Sequence, residues 1–197
     1  MHLFAATVRE MTEAGKPVLL YPGCGDTPAR GFLNLDISLH GRLTPDDPRW
    51  EDRQVFIFPF ADTAWPIPDN SVDYVFHEDF FEHINQKQQV CFLAEALRVM
   101  KPGAWHRVNT PCLAASMRSH SDFRRGFRGV FADEWDKDAH ISIMTRAALE
   151  DLAILVGYRY VSFNIKNGGM SEFRYPEGRP GPDRDQDLGN IFADLLK

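Results

Sequence analysis

Val18–Asp36 reads VLLYPGCGDTPARGFLNLD: a short apolar run, a glycine-bearing loop, and a second apolar run that ends in a carboxylate. Val18 to Tyr21 has the composition of a strand buried on both faces, and Pro22 and Gly23 stop it. Phe32 to Ile37 is the next expected strand. Gly23 and Gly25 follow the first strand directly, and their missing side chains let another group lie against the backbone. Asp36 closes the second strand, placed to accept both hydroxyls of a ribose. No basic residue stands between Pro22 and Ala29, so nothing in this loop calls for a phosphate. Only Asp26 to Phe32 separate loop and strand, whereas a parallel crossover with its helix usually needs about 10–12 residues. The first helix is therefore expected to be reduced to a turn or absent.

Working outward, Gln54–Phe58, Val72–Phe76, Trp105–Asn109 and Tyr158–Ile165 read as further strands, with Ile191–Leu196 a final element. Leu3–Ala14 places Phe4, Val8 and Met11 on one helical face. Asn85–Met100 carries Val90, Leu93, Leu97 and Met100 at helical spacing, and Lys101, Pro102 and Gly103 stop it. Thr145 is the expected cap of a helix that buries Leu149, Leu152, Ala153 and Val156 and closes at Gly157. Residues 38–53 read as surface loop, and Arg118–Asp138 is irregular. Strands alternating with helices imply a sheet covered on both faces.

The chain has 197 residues, 44% of them apolar and 25% charged, which suits one domain over residues 1–197 with one sizeable core. A net charge of -6 argues against broad contact with nucleic acid or an anionic membrane. No apolar run approaches the roughly 20 residues of a membrane-spanning helix, and the start lacks the features of a signal peptide, so a cytoplasmic location is expected. A homo-oligomer stays open. Cys24, Cys91 and Cys112 are too dispersed for a metal knuckle. HEDFFEH has Phe81 where the helical zinc signature needs a second histidine four residues after the first, so no metal site is expected.

The glycine segment is followed in order by PFADTAWPIPDNSVDYVF (59–76), FEHI (81–84) and ALRVMKPGAWHRVNTP (96–111). Together these resemble the class I, Rossmann-like S-adenosylmethionine-dependent methyltransferases, type 11-like, in the variant with a short first crossover that GFLNLD matches. The resemblance implies an α/β three-layer sandwich around a mostly parallel sheet, with the first crossover helix reduced. It also implies S-adenosyl-L-methionine as cofactor and a small-molecule methyl acceptor as partner, with neither nucleic acid nor membrane. Tyr21, Gly23, Cys24, Gly25, Asp36, Ile37, Asp62, Thr63, His77 and Glu78 are then the expected cofactor contacts, Asp62 toward the adenine amino group. Tyr21 stands where many members carry an acid, and Ala104 where they carry a second glycine. Pro68, Asp69, Asn70 and Asp73 form a structural turn, and Glu82 and His83 serve local hydrogen bonding and capping.

A sulfonium presents an activated methyl group, so the protein mainly aligns a nucleophile with it and excludes water. If the acceptor is a hydroxyl, His77, Glu78 and His140 are the candidate catalytic bases. The arginines at 118, 124, 125 and 128, interleaved with Phe123 and Phe127, suit an anionic acceptor. The competing reading is an inactive binding or regulatory module that retains cofactor affinity. A nicotinamide-dependent oxidoreductase is disfavoured because Pro28 replaces the last glycine of its loop.

Overall fold

The computed structural model describes residues 2–38, 54–114, 139–173 and 190–197. Three helices, α1 (His2–Glu13), α2 (Gln86–Val99) and α3 (Arg146–Val156), accompany seven strands. The strands are β1 (Leu19–Pro22), β2 (Leu33–Asp36), β3 (Gln54–Ile57), β4 (Val72–Glu78), β5 (Met100–Pro111), β6 (Tyr160–Phe163) and β7 (Asn190–Leu196). They form one sheet in the order β3-β2-β1-β4-β5-β7-β6, parallel from β3 to β5 and antiparallel where β7 enters between β5 and β6. This is the mostly parallel Rossmann-like sheet that the sequence implies.

The first crossover has no helix, and Asn34 explains how it holds together without one. Its side chain, fully buried in β2, accepts from the Ala29 amide (2.7 Å) and donates to the carbonyls of Ala29, Phe32 and Gln54. One amide thus satisfies backbone groups that a helix would otherwise have paired internally.

Alternation along the strands divides the molecule. Leu20, Leu33, Leu35, Val75, Val108, Ala193 and Leu195 point to one face, where α1, α2 and α3 deliver Phe4, Val8, Phe92, Leu93, Leu149 and Ala153 into the same cluster. Tyr21, Tyr74 and Phe76 point the other way and meet Cys24, Ala29 and Phe32 of the crossover, with Phe173 packed alongside. Among the described residues this second face is therefore covered by loop rather than by helix.

The ends of the helices follow local chemistry. Asn85 and Gln88 form a reciprocal capping box at α2, Thr145 accepts from Ala148 N at α3, and Gly157 closes α3 at φ 120°. β5 begins five residues earlier than expected. Met100 pairs with Val72, a bulge follows, and regular pairing resumes at Trp105 opposite Tyr74. The Pro68–Asp73 turn is structural, as read: Arg98 binds Asp69 at 2.6 Å, while Asp73 accepts from Val18 N and from Lys101. Residues 39–53, the arginine-rich stretch 115–138 and the loop at 174–189 lie outside the described residues. Among those described, no helix is long and apolar enough to cross a membrane.

Candidate active site

The carboxyl ends of the parallel strands bring the glycine loop, Asp36, the β3 loop and the β4 and β5 ends to one edge, where α/β sheets bind ligands. Gly23 and Gly25 both adopt positive φ, 70° and 56°. The Gly23 amide donates to Leu35 O, tying the loop to β2. Gly25 N–H donates to Asp36 Oδ2 at 2.8 Å and Ile37 N–H to Oδ1 at 2.7 Å, so two backbone amides orient the carboxylate. Cys24 Sγ lies 3.9 Å from the same Oδ2. Register places Ile57 opposite Asp36 on the neighbouring strand, and both Ile57 and Ile37 are exposed. Two exposed isoleucines beside an oriented carboxylate suit a ligand with an apolar ring and a hydroxylated sugar. Ile57 was not singled out in the sequence because it reads as one more strand residue.

Asp62 stands exposed above the start of α2, 3.4 Å from Gln88 Nε2, and Thr63 Oγ1 bonds back to Pro59 O at 2.6 Å. Tyr21 differs from the expectation in where it points: its ring is buried on the loop-covered face, 4.8 Å from Phe76. Gly23 holds a second difference. A side chain there would meet the Phe80 ring at 2.6–2.7 Å, so the glycine makes room for a protein side chain.

His77 and Glu78 part company. β4 extends to Glu78, two residues beyond the expected strand, so consecutive side chains go to opposite faces. His77 is 0% exposed on the helix-covered face, ringed by Phe80, Phe81 and Phe92. Its Nδ1 is 3.0 Å from His106 Nε2, and His106 Nδ1 is 2.8 Å from the Tyr158 hydroxyl, itself 3.3 Å from Leu93 O. The tautomers follow if every donor is to be paired. Tyr158 donates to Leu93 O, His106 Nδ1–H donates to Tyr158, His77 Nδ1–H donates to His106, and the buried His77 Nε2 is left as a bare acceptor. Burial lowers His77 to about 3 and also lowers His106, which the neighbouring His77 depresses further; it raises Tyr158. All three are neutral at pH 7. The structure thus places His77 in a dry core, walled off from the strand ends where it was expected to meet cofactor or acceptor.

Glu78 shares the opposite face with Asn109, whose Nδ2 donates to Glu78 Oε1 at 3.0 Å. Asn190 Nδ2 in turn bonds Asn109 Oδ1 and Asp79 Oδ1, and Asp79 holds φ 46° with its amide on Asn109 O. This polar chain links β4, β5 and β7 at the ligand edge. Asn190 gave no sequence signal, because its partners are remote along the chain. One turn further on, Glu82 accepts from Thr110 Oγ1 at 3.0 Å, and His140 Nε2 lies 3.9 Å from Glu82 Oε1. The capping role expected of Glu82 and His83 belongs instead to Asn85.

Residues 49–108 match the family model for the methyltransferase domain. No curated protein matches the sequence. Among solved structures, an S-adenosylmethionine-dependent methyltransferase from Archaeoglobus fulgidus is similar at 14% identity and TM-score 0.60, over 100% of this chain and 94% of that one. A Burkholderia thailandensis 1,6-didemethyltoxoflavin-N1-methyltransferase, solved with its substrate and S-adenosylhomocysteine, aligns at 13% identity and TM-score 0.55, over 98% and 79%. Phosphoethanolamine N-methyltransferase 2 of Haemonchus contortus aligns at 12% identity and TM-score 0.59; this chain, 92% covered, spans about half (48%) of it. The fold is that of the Rossmann-like S-adenosylmethionine-dependent methyltransferases. The methyltransferase-domain match runs from the segment before β3 into β5, and with it the resemblance read from the sequence is borne out.

Proposed function

We propose that residues 1–197 form a single cytoplasmic methyltransferase domain that transfers the methyl group of S-adenosyl-L-methionine to a small-molecule acceptor. The observation that carries this reading is the Asp36 carboxylate, held by the Gly25 and Ile37 amides beside exposed Ile37 and Ile57 in a sheet of methyltransferase topology. Asp36 receives the ribose hydroxyls, the two isoleucines flank the adenine, Asp62 faces its amino group, and the Gly23–Gly25 backbone meets the methionine portion. Glu78 is the base for a hydroxyl acceptor, since it leaves β4 on the same face as Asp36. His77 has no part in this assignment.

Calorimetric titration with S-adenosylhomocysteine, S-adenosylmethionine and NAD tests the reading. The first two should bind and NAD should not. Asp36→Ala removes a charged acceptor worth about 1.5–3 kcal/mol, so S-adenosylhomocysteine affinity should fall about ten- to a hundredfold. Unchanged affinity in the variant would put the ribose elsewhere.

A second reading, a module that binds the cofactor without turnover, is favoured by the Phe80 ring against Gly23, which covers part of the loop with protein. Cofactor affinity together with no methyl transfer across an acceptor panel would select it.

A further inference from the structure

We propose that Glu82, His83 and His140 form a binding site for a divalent transition-metal cation. One ligand atom from each lies within 4.8 Å of the others, and His140 Nε2 is 3.9 Å from Glu82 Oε1. That last distance is too long for a hydrogen bond, yet near the separation of two ligands that share an ion. At metal–ligand distances of about 2.0–2.2 Å, tetrahedral neighbours sit about 3.4 Å apart, so closure needs a movement of about an ångström. Of the three residues, His83 is the one exposed to solvent, at the turn.

The other two ligands are built in. Glu82 is 1% exposed and His140 7%. Thr110 Oγ1 fixes the second Glu82 oxygen at 3.0 Å, the kind of outer hydrogen bond that orients a ligating carboxylate. The Glu82 carbonyl accepts from both Ile141 N and Ser142 N, which pins the segment carrying His140 against the turn that carries Glu82. Gln89 reinforces this by donating to Ser142 Oγ at 2.6 Å and to Phe81 O at 2.9 Å. The His83 and His140 rings meet edge to face at 4.9 Å and 76°.

Two imidazoles and one carboxylate suit zinc, manganese or cobalt rather than calcium or magnesium. Three protein ligands leave positions for water or for an oxygen donor, the pattern of reactive rather than purely structural sites. The sequence motif concealed this set. HEDFFEH invites a pairing of His77 with position 81, whereas His77 is in the core and the second histidine of the site arrives from the segment before α3.

The test uses the full chain, stripped with a chelator and titrated with Zn2+ by calorimetry and with Co2+ by visible absorption, without cofactor or acceptor. One site per chain is expected, with Zn2+ raising the thermal midpoint. His83→Ala, which alters an exposed residue and keeps the fold, and His140→Ala should each weaken Zn2+ by more than about a hundredfold. No uptake of Zn2+, Mn2+ or Co2+ by the unaltered chain overturns the proposal, as does His83→Ala binding Zn2+ as tightly as the parent. Because the cofactor titration is separate, either result leaves the methyltransferase reading standing or falling on its own.

Discussion

The two faces of the sheet solve the problem of buried polarity in opposite ways. On the helix-covered face, His77, His106 and Tyr158 are held neutral and passed from one to the next until the last donor reaches a backbone carbonyl. On the other face Arg107 and Asp194 are charged partners at 3.0 Å, with Asn164 donating to the same carboxylate at 2.6 Å and Phe192 lying 5.5 Å from the guanidinium. Burial raises the Asp194 carboxyl, and Arg107 and Asn164 oppose that rise. Among the described residues three helices pack on the first face, where burial keeps the two histidines neutral, and loops lie against the second. The segment after β6 closes over the charged pair, the Ile165 carbonyl accepting from Arg107 Nη2 at 2.9 Å.

The widest separation between the faces should appear at His77 and Glu78, adjacent in sequence. Glu78→Gln is expected to reduce methyl transfer by about 10²–10⁴-fold, in any acceptor assay that gives turnover, with S-adenosylhomocysteine affinity nearly intact. His77→Asn should lower stability and leave turnover per folded molecule close to the parent. The reverse result would return His77 to the site.

Next in size is the charged face. Asp194→Ala strands Arg107 in the interior and should cost about 3–5 kcal/mol in urea unfolding. Arg107→Met combined with Asp194→Leu should recover most of that loss. If the double variant is as unstable as the single one, the pair contributes more than mutual neutralisation.

pH titrates the other face. His77 and His106 stay neutral when folded but protonate near 6.5 when unfolded, so below that pH unfolding takes up protons. The contribution is fully present above about pH 6.5 and is lost as pH falls toward about 3. His77 adds a slope of about 1.4 kcal/mol per pH unit in that window, and His106 acts in the same direction. Unfolding measured from pH 7 to 5 should show a shallower slope in His77→Asn, and an unaltered slope would mean that this ring is charged in the fold.

The smallest expected effect is where the faces meet, at Gly23. A valine there must displace the Phe80 ring, costing about 1–3 kcal/mol of apoprotein stability. Phe80→Ala in the same chain should return part of it. A Gly23→Val protein as stable as the parent would show that Phe80 swings away freely and that the loop is open to ligand.

Much of this was legible in the sequence because it is local. The glycine loop, Asp36, the missing helix, the Thr145 cap and the Gly157 stop each depend on residues within a turn or a strand of one another. What stayed hidden depends on partners far along the chain. Ending β4 at Phe76 made His77 and Glu78 look like two loop residues facing one crevice; with the strand running to Glu78, the two-residue period sends them apart. The early start of β5 was masked by Lys-Pro-Gly, which ends α2 and also lies in the bulge. The buried Arg107 gave no sign of its role, since Asp194 is met only at β7.

The placement of β7 bears on how the chain assembles. β6 precedes β7 in sequence, but its pairing in the sheet is with β7, and β6 joins the sheet only through β7, which docks along β5 from Trp105 to Pro111. Until that happens, β5 offers a row of unsatisfied N–H and C=O groups to whatever strand arrives, including one from another molecule. Contacts between such distant segments form slowly. The passage from a half-built sheet to a closed one is therefore the stage at which folding competes with self-association, and its length is set by how quickly Asn190–Leu196 finds its groove.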